Sequence, residues 1–355
     1  MVTLIIPTLD RQDLLLRAID YYQHFDCNVL IADSSDNKFV HKFPDNITYK
    51  HLPKACWTEK LYEAAKDIVT PYVCLAADDD YLLESSLKEG IFFLGNNLEY
   101  ASAQGRYYKF ELIENQVVFS PRYDLKSNNY AIESEDRYSR LAKTFNPYMH
   151  HCFAVHRTNL FVKGCKFASV YKGLKWGNFP IFNELLVPVV PMCYGKHKVL
   201  PILWMVRDYY IFDRIRRQNY IPYRAESNKF DLIAFHYKQL TYIAKIAKKF
   251  LKSEEYQQLK KSFRDVISDV ASNKESDMLF DVAFKSYSKS LISERNKITL
   301  KLIIKLFTPN SYLQRYKKYN NNKYASGIED TIFKNDFEKI RLSVMKFKKC
   351  YDADW

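Results

Sequence analysis

Val2-Thr3-Leu4-Ile5-Ile6 opens the chain as an unbroken apolar, largely β-branched run, and Pro7-Thr8-Leu9-Asp10-Arg11 follows it. The run predicts a buried strand, which Pro7 is expected to stop because it has no N–H to donate. From Arg11 onward Leu14, Leu15, Ala18, Ile19 and Tyr22 recur at helical spacing, so a helix is predicted at once. The alternation then repeats. Residues 28–32, 47–51 and 72–76 are predicted strands; 58–67, with Thr58 as N-cap, and 84–94 are predicted helices. Strands separated by helical segments make a mostly parallel, Rossmann-like α/β sheet.

After Tyr100 the texture changes. Residues 100–113 and 116–120 are predicted to form a hairpin about Glu114-Asn115, where Asn115 tolerates the positive φ of a tight turn. A helix over 133–143, a strand over 152–155, a helix capped by Thr158, a helix over 182–187 and a strand over 199–206 follow. From about Tyr220 every segment is helical: 230–251, 254–271, 278–291, 297–307 and 333–349, with a Lys/Tyr/Asn-rich loop over 316–324. Two domains result: an α/β domain over 1–220 and a mainly α-helical domain over 221–355.

Length and composition fit that division, since 355 residues is about twice a typical ~150-residue domain. With 47% hydrophobic residues and only 8 Gly and 12 Pro, disordered and collagen-like classes are excluded. No apolar run reaches the ~18–20 residues of a membrane span. The most apolar stretch, 185–206, is cut by three prolines and by Lys196, His197 and Lys198. The N-terminus lacks a positive n-region and a small-residue cleavage site, so no signal peptide is expected. The 7 cysteines form no CxxC and read as reduced thiols of a cytoplasmic protein. Net charge is uneven: residues 1–220 carry 27 basic and 25 acidic side chains, residues 221–355 carry 27 and 16. The basic C-terminal third suits an anionic partner such as phospholipid, nucleic acid or acidic glycan. Within it Lys297, Lys301 and Lys305 form one stripe beside an apolar one, a pattern that suits either packing on the first domain or the headgroup layer of a membrane.

The chemistry concentrates at Ala76-Ala77-Asp78-Asp79-Asp80-Tyr81, directly after the apolar Tyr72-Val73-Cys74-Leu75. Three adjacent carboxylates repel one another unless a cation or several donors stand nearby. Mg²⁺ commonly takes one or two carboxylates plus substrate phosphates. Ligands of open α/β sheets bind beyond the carboxyl ends of the strands, where this triplet falls. Taken alone, so short a motif reads first as a solvated turn before the helix at Glu84.

Three motifs in order change that balance. Val2–Arg11 with Leu14 and Arg17-Ala18-Ile19, then Val29-Leu30-Ile31-Ala32-Asp33-Ser34-Ser35-Asp36, then Asp78-Asp79-Asp80 resemble GT-A-fold glycosyltransferases. The particular likeness is to the family-2-like enzymes that build bacterial surface polysaccharides. It covers about residues 1–210 and is strongest through residue 85. The resemblance implies a metal-dependent enzyme that moves a sugar from a nucleotide-sugar donor, UDP-linked, to a glycan or lipid-linked glycan acceptor in surface polysaccharide synthesis; membrane contact at the inner face is an expectation only of the basic C-terminal helices. It implies Mn²⁺ or Mg²⁺ held by Asp78 and Asp80, and donor contacts from Pro7, Thr8, Asp10, Arg11, Asp33, Lys60 and Asp79. Asp10 reads equally as a helix cap, Asp33 also as ordinary turn chemistry at a strand end, and Lys60 as a solvated lysine. His51-Leu52-Pro53-Lys54-Ala55-Cys56-Trp57 stands where the family often has a glycine-rich turn.

Sugar transfer needs a base for the acceptor hydroxyl. Glu184, in Phe182-Asn183-Glu184-Leu185-Leu186, matches the family's base position, although the family usually shows Glu-Asp there. It is the only acidic residue between Asp136 and Asp208, and its apolar setting is expected to raise its pKa. Arg207 follows the 199–206 strand, where a guanidinium would match diphosphate oxygens; Arg214, Arg216 and Arg217 read as a solvated face. His150-His151-Cys152 and His156 fit no standard zinc spacing and read as structural. Two other classes were weighed. A nucleotidyltransferase is disfavoured because no glycine-rich phosphate loop follows the first strand. A nucleic-acid-binding protein fits the pI of 9.1 but leaves the acidic triplet unexplained.

Overall fold

A computed structural model describes residues 1–113, 115–122, 131–144, 150–170, 183–208, 247–261 and 331–352. Nine strands form one sheet in the order β3-β2-β1-β4-β8-β6-β9-β5, with β7 on β6. They are β1 Val2–Thr8, β2 Asn28–Asp33, β3 Ile47–His51, β4 Tyr72–Leu75, β5 Tyr81–Leu82, β6 Tyr100–Ile113, β7 Gln116–Pro121, β8 Val155–Arg157 and β9 Lys196–Asp208. β1, β2, β3 and β4 are mutually parallel, and β6 and β9 run in the same direction. β5, β7 and β8 run against them. Six strands therefore end at one edge of the sheet, and the functional residues gather there. The helices are α1 Gln12–Tyr22, α2 Trp57–Ala65, α3 Glu84–Asn96, α4 Arg137–Thr144, α5 Thr158–Ser169, α6 Asn183–Leu186, α7 Val189–Tyr194, α8 Thr331–Lys346 and α9 Lys349–Asp352.

The chain divides into two compact units. All nine strands, α1 to α7 and the residues from Ile340 onward belong to the first. Of the second, the described part is residues 331–339, the opening turns of α8. The boundary expected near 220, the helices expected over 278–291 and 297–307, and the Lys297–Lys301–Lys305 stripe lie outside the described residues. So do Arg214, Arg216 and Arg217. Of the helix expected over 254–271, residues 253–261 are described and helical. No described helix is long and apolar enough to cross a membrane.

Pro7 does not stop β1. The strand runs on to Thr8, with Pro7 opposite Ala32 and Thr8 opposite Asp33. In a parallel ladder alternate residues turn their N–H to opposite neighbours. Ile5 turns toward β4, where its carbonyl accepts from Ala76, and Thr8 turns toward β2, where its carbonyl accepts from Ser34. Pro7 therefore lacks an N–H only on the β4 side, where pairing has ended at Ile5–Leu75.

Other boundaries shift for local reasons. Thr58 is buried inside α2, and Cys56 is its N-cap, its N–H donating to Glu59 at 3.3 Å. The strand expected over 152–155 is a 3₁₀ turn, His151–Phe153, followed by β8. The helix expected from 133 starts at Arg137. The 100–113 and 116–120 hairpin is present, with Ile113 opposite Gln116 and Asn115 at φ 63°.

Leu4, Ile5 and Ile6 of β1, Ile31 of β2 and Val73, Cys74 and Leu75 of β4 are fully buried, as strands covered on both faces require. Leu15, Ile19 and Tyr22 of α1 bury the helix stripe. Gly90 of α3 admits the sheet closely: a Cβ there would stand 2.9 Å from Val155 and 3.1 Å from Trp204. None of the seven cysteines is in a disulfide.

Three histidines are fully buried in this core: His151, His156 and His197, with the His151 and His197 rings edge to face at 4.7 Å. His197 Nδ1 pairs with Ser102 Oγ at 2.8 Å, and His156 Nε2 with the His151 carbonyl at 3.0 Å. Burial holds the imidazoles below their ordinary 6.5: His151 at about 3, His156 at about 4 and His197 well below. Below pH 6.5 the unfolded chain takes up protons that the fold refuses. Stability is therefore complete above that pH and lost as pH falls through it. The melting temperature is expected to fall from pH 6.5 to 5, each histidine contributing up to about 1.4 kcal/mol per pH unit. His197→Asn should melt lower than the parent at pH 8, with the gap narrowing by pH 5; a constant gap would contradict this.

Candidate active site

The acidic triplet lies in the turn between β4 and β5. β5 is only two residues long, yet it fixes the site, because Tyr81 and Leu82 pair with Val206 and Met205 of β9. That pairing brings Arg207 and Asp208 against Asp80. Arg207 Nε donates to Asp80 Oδ2 at 2.8 Å, and the Asp208 N–H donates to Asp80 Oδ1 at 3.0 Å. Asp78 is held from the other side: Thr8 Oγ1 donates to its Oδ2 at 2.7 Å, and Arg11 Nη1 to its Oδ1 at 2.9 Å. The same Arg11 nitrogen reaches Asp79 Oδ2 at 3.1 Å. Burial pushes the Asp78 carboxyl up, against the Arg11 charge. It also pushes Asp80 up to about 7; Arg207 pulls the other way and Asp79 adds to the rise.

Thr8, at the end of β1, is tied to β2 and α2. Its carbonyl accepts from Lys60 Nζ at 2.6 Å, and the same ammonium donates to Ser34 Oγ at 2.9 Å. Lys60 is buried, not solvated. Burial lowers its pKa to about 8, with Asp78 and Asp33 opposing the fall. Asp33 has both oxygens engaged: Oδ1 accepts from Ser35 N and Oγ at 2.8 and 2.6 Å, and Oδ2 from Tyr49 Oη at 2.7 Å. It holds the Ser34-Ser35 turn together. Asp10 is exposed at φ 52°, its N–H donating to Ser35 Oγ at 2.8 Å. It does not cap α1, whose N-cap is Arg11.

Beneath the triplet is a buried charge network that sequence reasoning missed. Arg17 of α1 is 1% exposed; its Nη1 donates to Asp208 Oδ2 at 3.2 Å and its Nη2 to the Asp78 carbonyl at 3.3 Å. Its guanidinium lies 4.7 Å over the Tyr81 ring. Tyr351 of α9 completes the network, its hydroxyl bonded to Arg17 and donating to Asp208 Oδ2 at 3.0 Å. Arg17 showed in the sequence as part of the first helix, but nothing local linked it to residues 191 and 334 positions away.

Glu184, at the start of α6, lies 3.4 Å from His150 Nδ1. Burial pushes its carboxyl up, but the hydrogen bond with His150 and the Arg207 charge outweigh it, so its pKa is lowered. This overturns the expectation of a raised pKa: the surroundings supply a partner and a cation, not only apolar contacts. His150 is held down to about 4 by burial and then by the Arg207 charge, so it is neutral near pH 7. Arg207 thus links the two halves of the site, bonded to Asp80 and within electrostatic reach of Glu184. Its guanidinium stacks 5.1 Å over the Phe153 ring.

As placed, the triplet does not fit a divalent ion. Both oxygens of Asp78 and both of Asp80, the expected ligands, accept from protein donors. Among the described residues no group of three His, Cys, Asp or Glu side chains could hold a metal.

The sequence matches no protein-family model and no curated protein. Among solved structures it is similar to S. aureus TarS 1-349 in complex with UDP-GlcNAc. That match has 12% identity and a TM-score of 0.44, covering 74% of this chain and 91% of that one. It is also similar to the mannosyltransferase PcManGT from Pyrobaculum calidifontis in complex with GDP-Man and Mn²⁺. There the identity is 12% and the TM-score 0.42, over 86% of this chain and 87% of that one. A longer S. aureus TarS structure matches over 76% of this chain and 55% of its own, with a TM-score of 0.44.

The buried network makes a direct prediction. Arg17→Met strands Asp208 without its cation and is expected to cost roughly 3–5 kcal/mol in urea unfolding. Tyr351→Phe removes one neutral donor and should cost about 1–2 kcal/mol. Equal, sub-kilocalorie losses would show that the network does not support the triplet.

Proposed function

We propose that the protein is a glycosyltransferase, moving a sugar from a nucleotide-sugar donor, UDP-linked, to a hydroxyl of a glycan or lipid-linked glycan. One observation carries the reading. A cluster of carboxylates and arginines stands where β1, β2, β4 and β9 end together, and a carboxylate with a lowered pKa, Glu184, lies within electrostatic reach of its Arg207. Such an edge is where open α/β sheets take nucleotides.

In this reading the donor lies over the ends of β1, β2 and β4, with Pro7, Thr8 and Lys60 forming the floor. Asp33 keeps the Ser34-Ser35 turn in shape beside the base, and Asp10 and Asp79 line the open side. Arg11 and Arg207 meet the diphosphate, because guanidinium matches phosphate oxygens in a bidentate way. Glu184 takes the proton of the acceptor hydroxyl. The bond from that oxygen to the anomeric carbon forms while the bond to phosphate breaks, and its electron pair leaves with the nucleoside diphosphate. Arg207 is placed to stabilise that charge. The partner and the cation that lower the Glu184 pKa keep it ionised at neutral pH, as a proton acceptor must be.

Two measurements test this. In a thermal-shift panel of nucleoside diphosphates and nucleotide sugars, uridine compounds should raise the melting temperature by mass action; no shift with any nucleotide would contradict the reading. Glu184→Gln should lower turnover by about 10²–10⁴-fold while leaving donor affinity within about threefold, because a base acts in the chemical step. Near-normal turnover would return Glu184 to a structural role.

A further inference from the structure

Arg11 and Arg207 both neutralise the triplet, but they are held differently. Arg207 is 15% exposed, stacked on Phe153, and its Nε is committed to Asp80. Arg11 is 32% exposed, and among the described residues its guanidinium bonds only through Nη1, to Asp78 and Asp79. Its backbone is fixed nearby, since the Asp10 N–H is held by Ser35 and the Arg11 carbonyl accepts from Leu15 at 2.9 Å. The backbone at Arg11 is thus held by bonds that do not involve its guanidinium.

The seat it occupies suits a cation. Asp78 is 3% exposed and Asp79 16%, so the two charges are poorly solvated. Asp79 keeps one oxygen with no protein donor among the described residues. Hard divalent ions need several oxygen ligands at once. With Arg11 in place they would meet that one oxygen and a positive charge a few ångströms away, where repulsion in a partly buried setting is strong.

We propose that Arg11 is the resident counter-cation of the Asp78–Asp79 pair, excluding divalent ions from the free protein until its side chain swings away. The inference concerns the same site as the proposed reaction but rests on the carboxylate geometry alone. Mn²⁺ binding to the full chain, without nucleotide, is read by loss of the free-ion electron paramagnetic resonance signal. The parent should bind at this site no tighter than about millimolar. Arg11→Gln should bind at least about tenfold tighter, and adding Asp79→Asn should remove the gain. Arg11→Lys, which keeps the charge, should stay near the parent. A smaller gain, or none, in Arg11→Gln overturns the proposal. If Arg11→Gln does not fold, the parent decides: submillimolar Mn²⁺ binding that Asp79→Asn abolishes overturns it, and binding no tighter than millimolar upholds it. Because no nucleotide is present, the outcome stands or falls separately from sugar transfer.

Discussion

Three consecutive carboxylates can be buried side by side only if cations come with them. Desolvation and mutual repulsion both act against the charged forms, and removing a single partner leaves an uncompensated buried charge. In this chain that constraint reaches through the whole first unit. Arg11 and Arg17 come from one helix and its cap, Arg207 from the end of a strand far along the chain, and Tyr351 from the last helix. The triplet is thus held by groups from β1, the α1 cap and the end of β9, with Tyr351 of α9 bonded to the Arg17–Asp208 pair beneath it.

β5 is the hinge of that assembly. Its two residues pair with β9 and turn the Asp78–Asp80 loop back across the sheet edge, so that the end of β9 meets the end of β4. With that pairing, Arg207 is bonded to Asp80 while its charge also acts on Glu184, the partner of His150. A fold built this way holds its cations and the Glu184 carboxylate around one point, the preorganisation that the proposed transfer would use.

Much of the frame was legible in the sequence because its signals are local. β-branched runs, helical periodicity and the acidic triplet gave β1, α1, β2, β3, β4 and α3 within a few residues, and Asn115 marked the hairpin turn. Pro7 misled because a proline is judged by its missing donor, whereas the side of the sheet that donor would face decides the outcome. The site was legible in its members more than in their duties. Asp78, Asp80, Arg11 and Arg207 do converge, and the turn chemistry open to Asp33 is what it performs, but the sequence could not say that Arg11 fills the place between Asp78 and Asp79, or that Lys60 is buried. Arg17, Asp208 and Tyr351 went unassigned as site residues, and His150 was read as structural, because their partners lie on distant segments and periodicity carries no information about such pairings.

The central claim is that the edge where β1, β2, β4 and β9 end is a nucleoside-diphosphate site with Arg207 at its middle. A crystal structure of the full chain with UDP tests it most directly. The account places the diphosphate within hydrogen-bond distance of Arg207, over the carboxyl ends of β1 and β4, with Glu184 on the far side of the anomeric position. UDP bound elsewhere on the molecule, with Arg207 still turned only to Asp80, would contradict it.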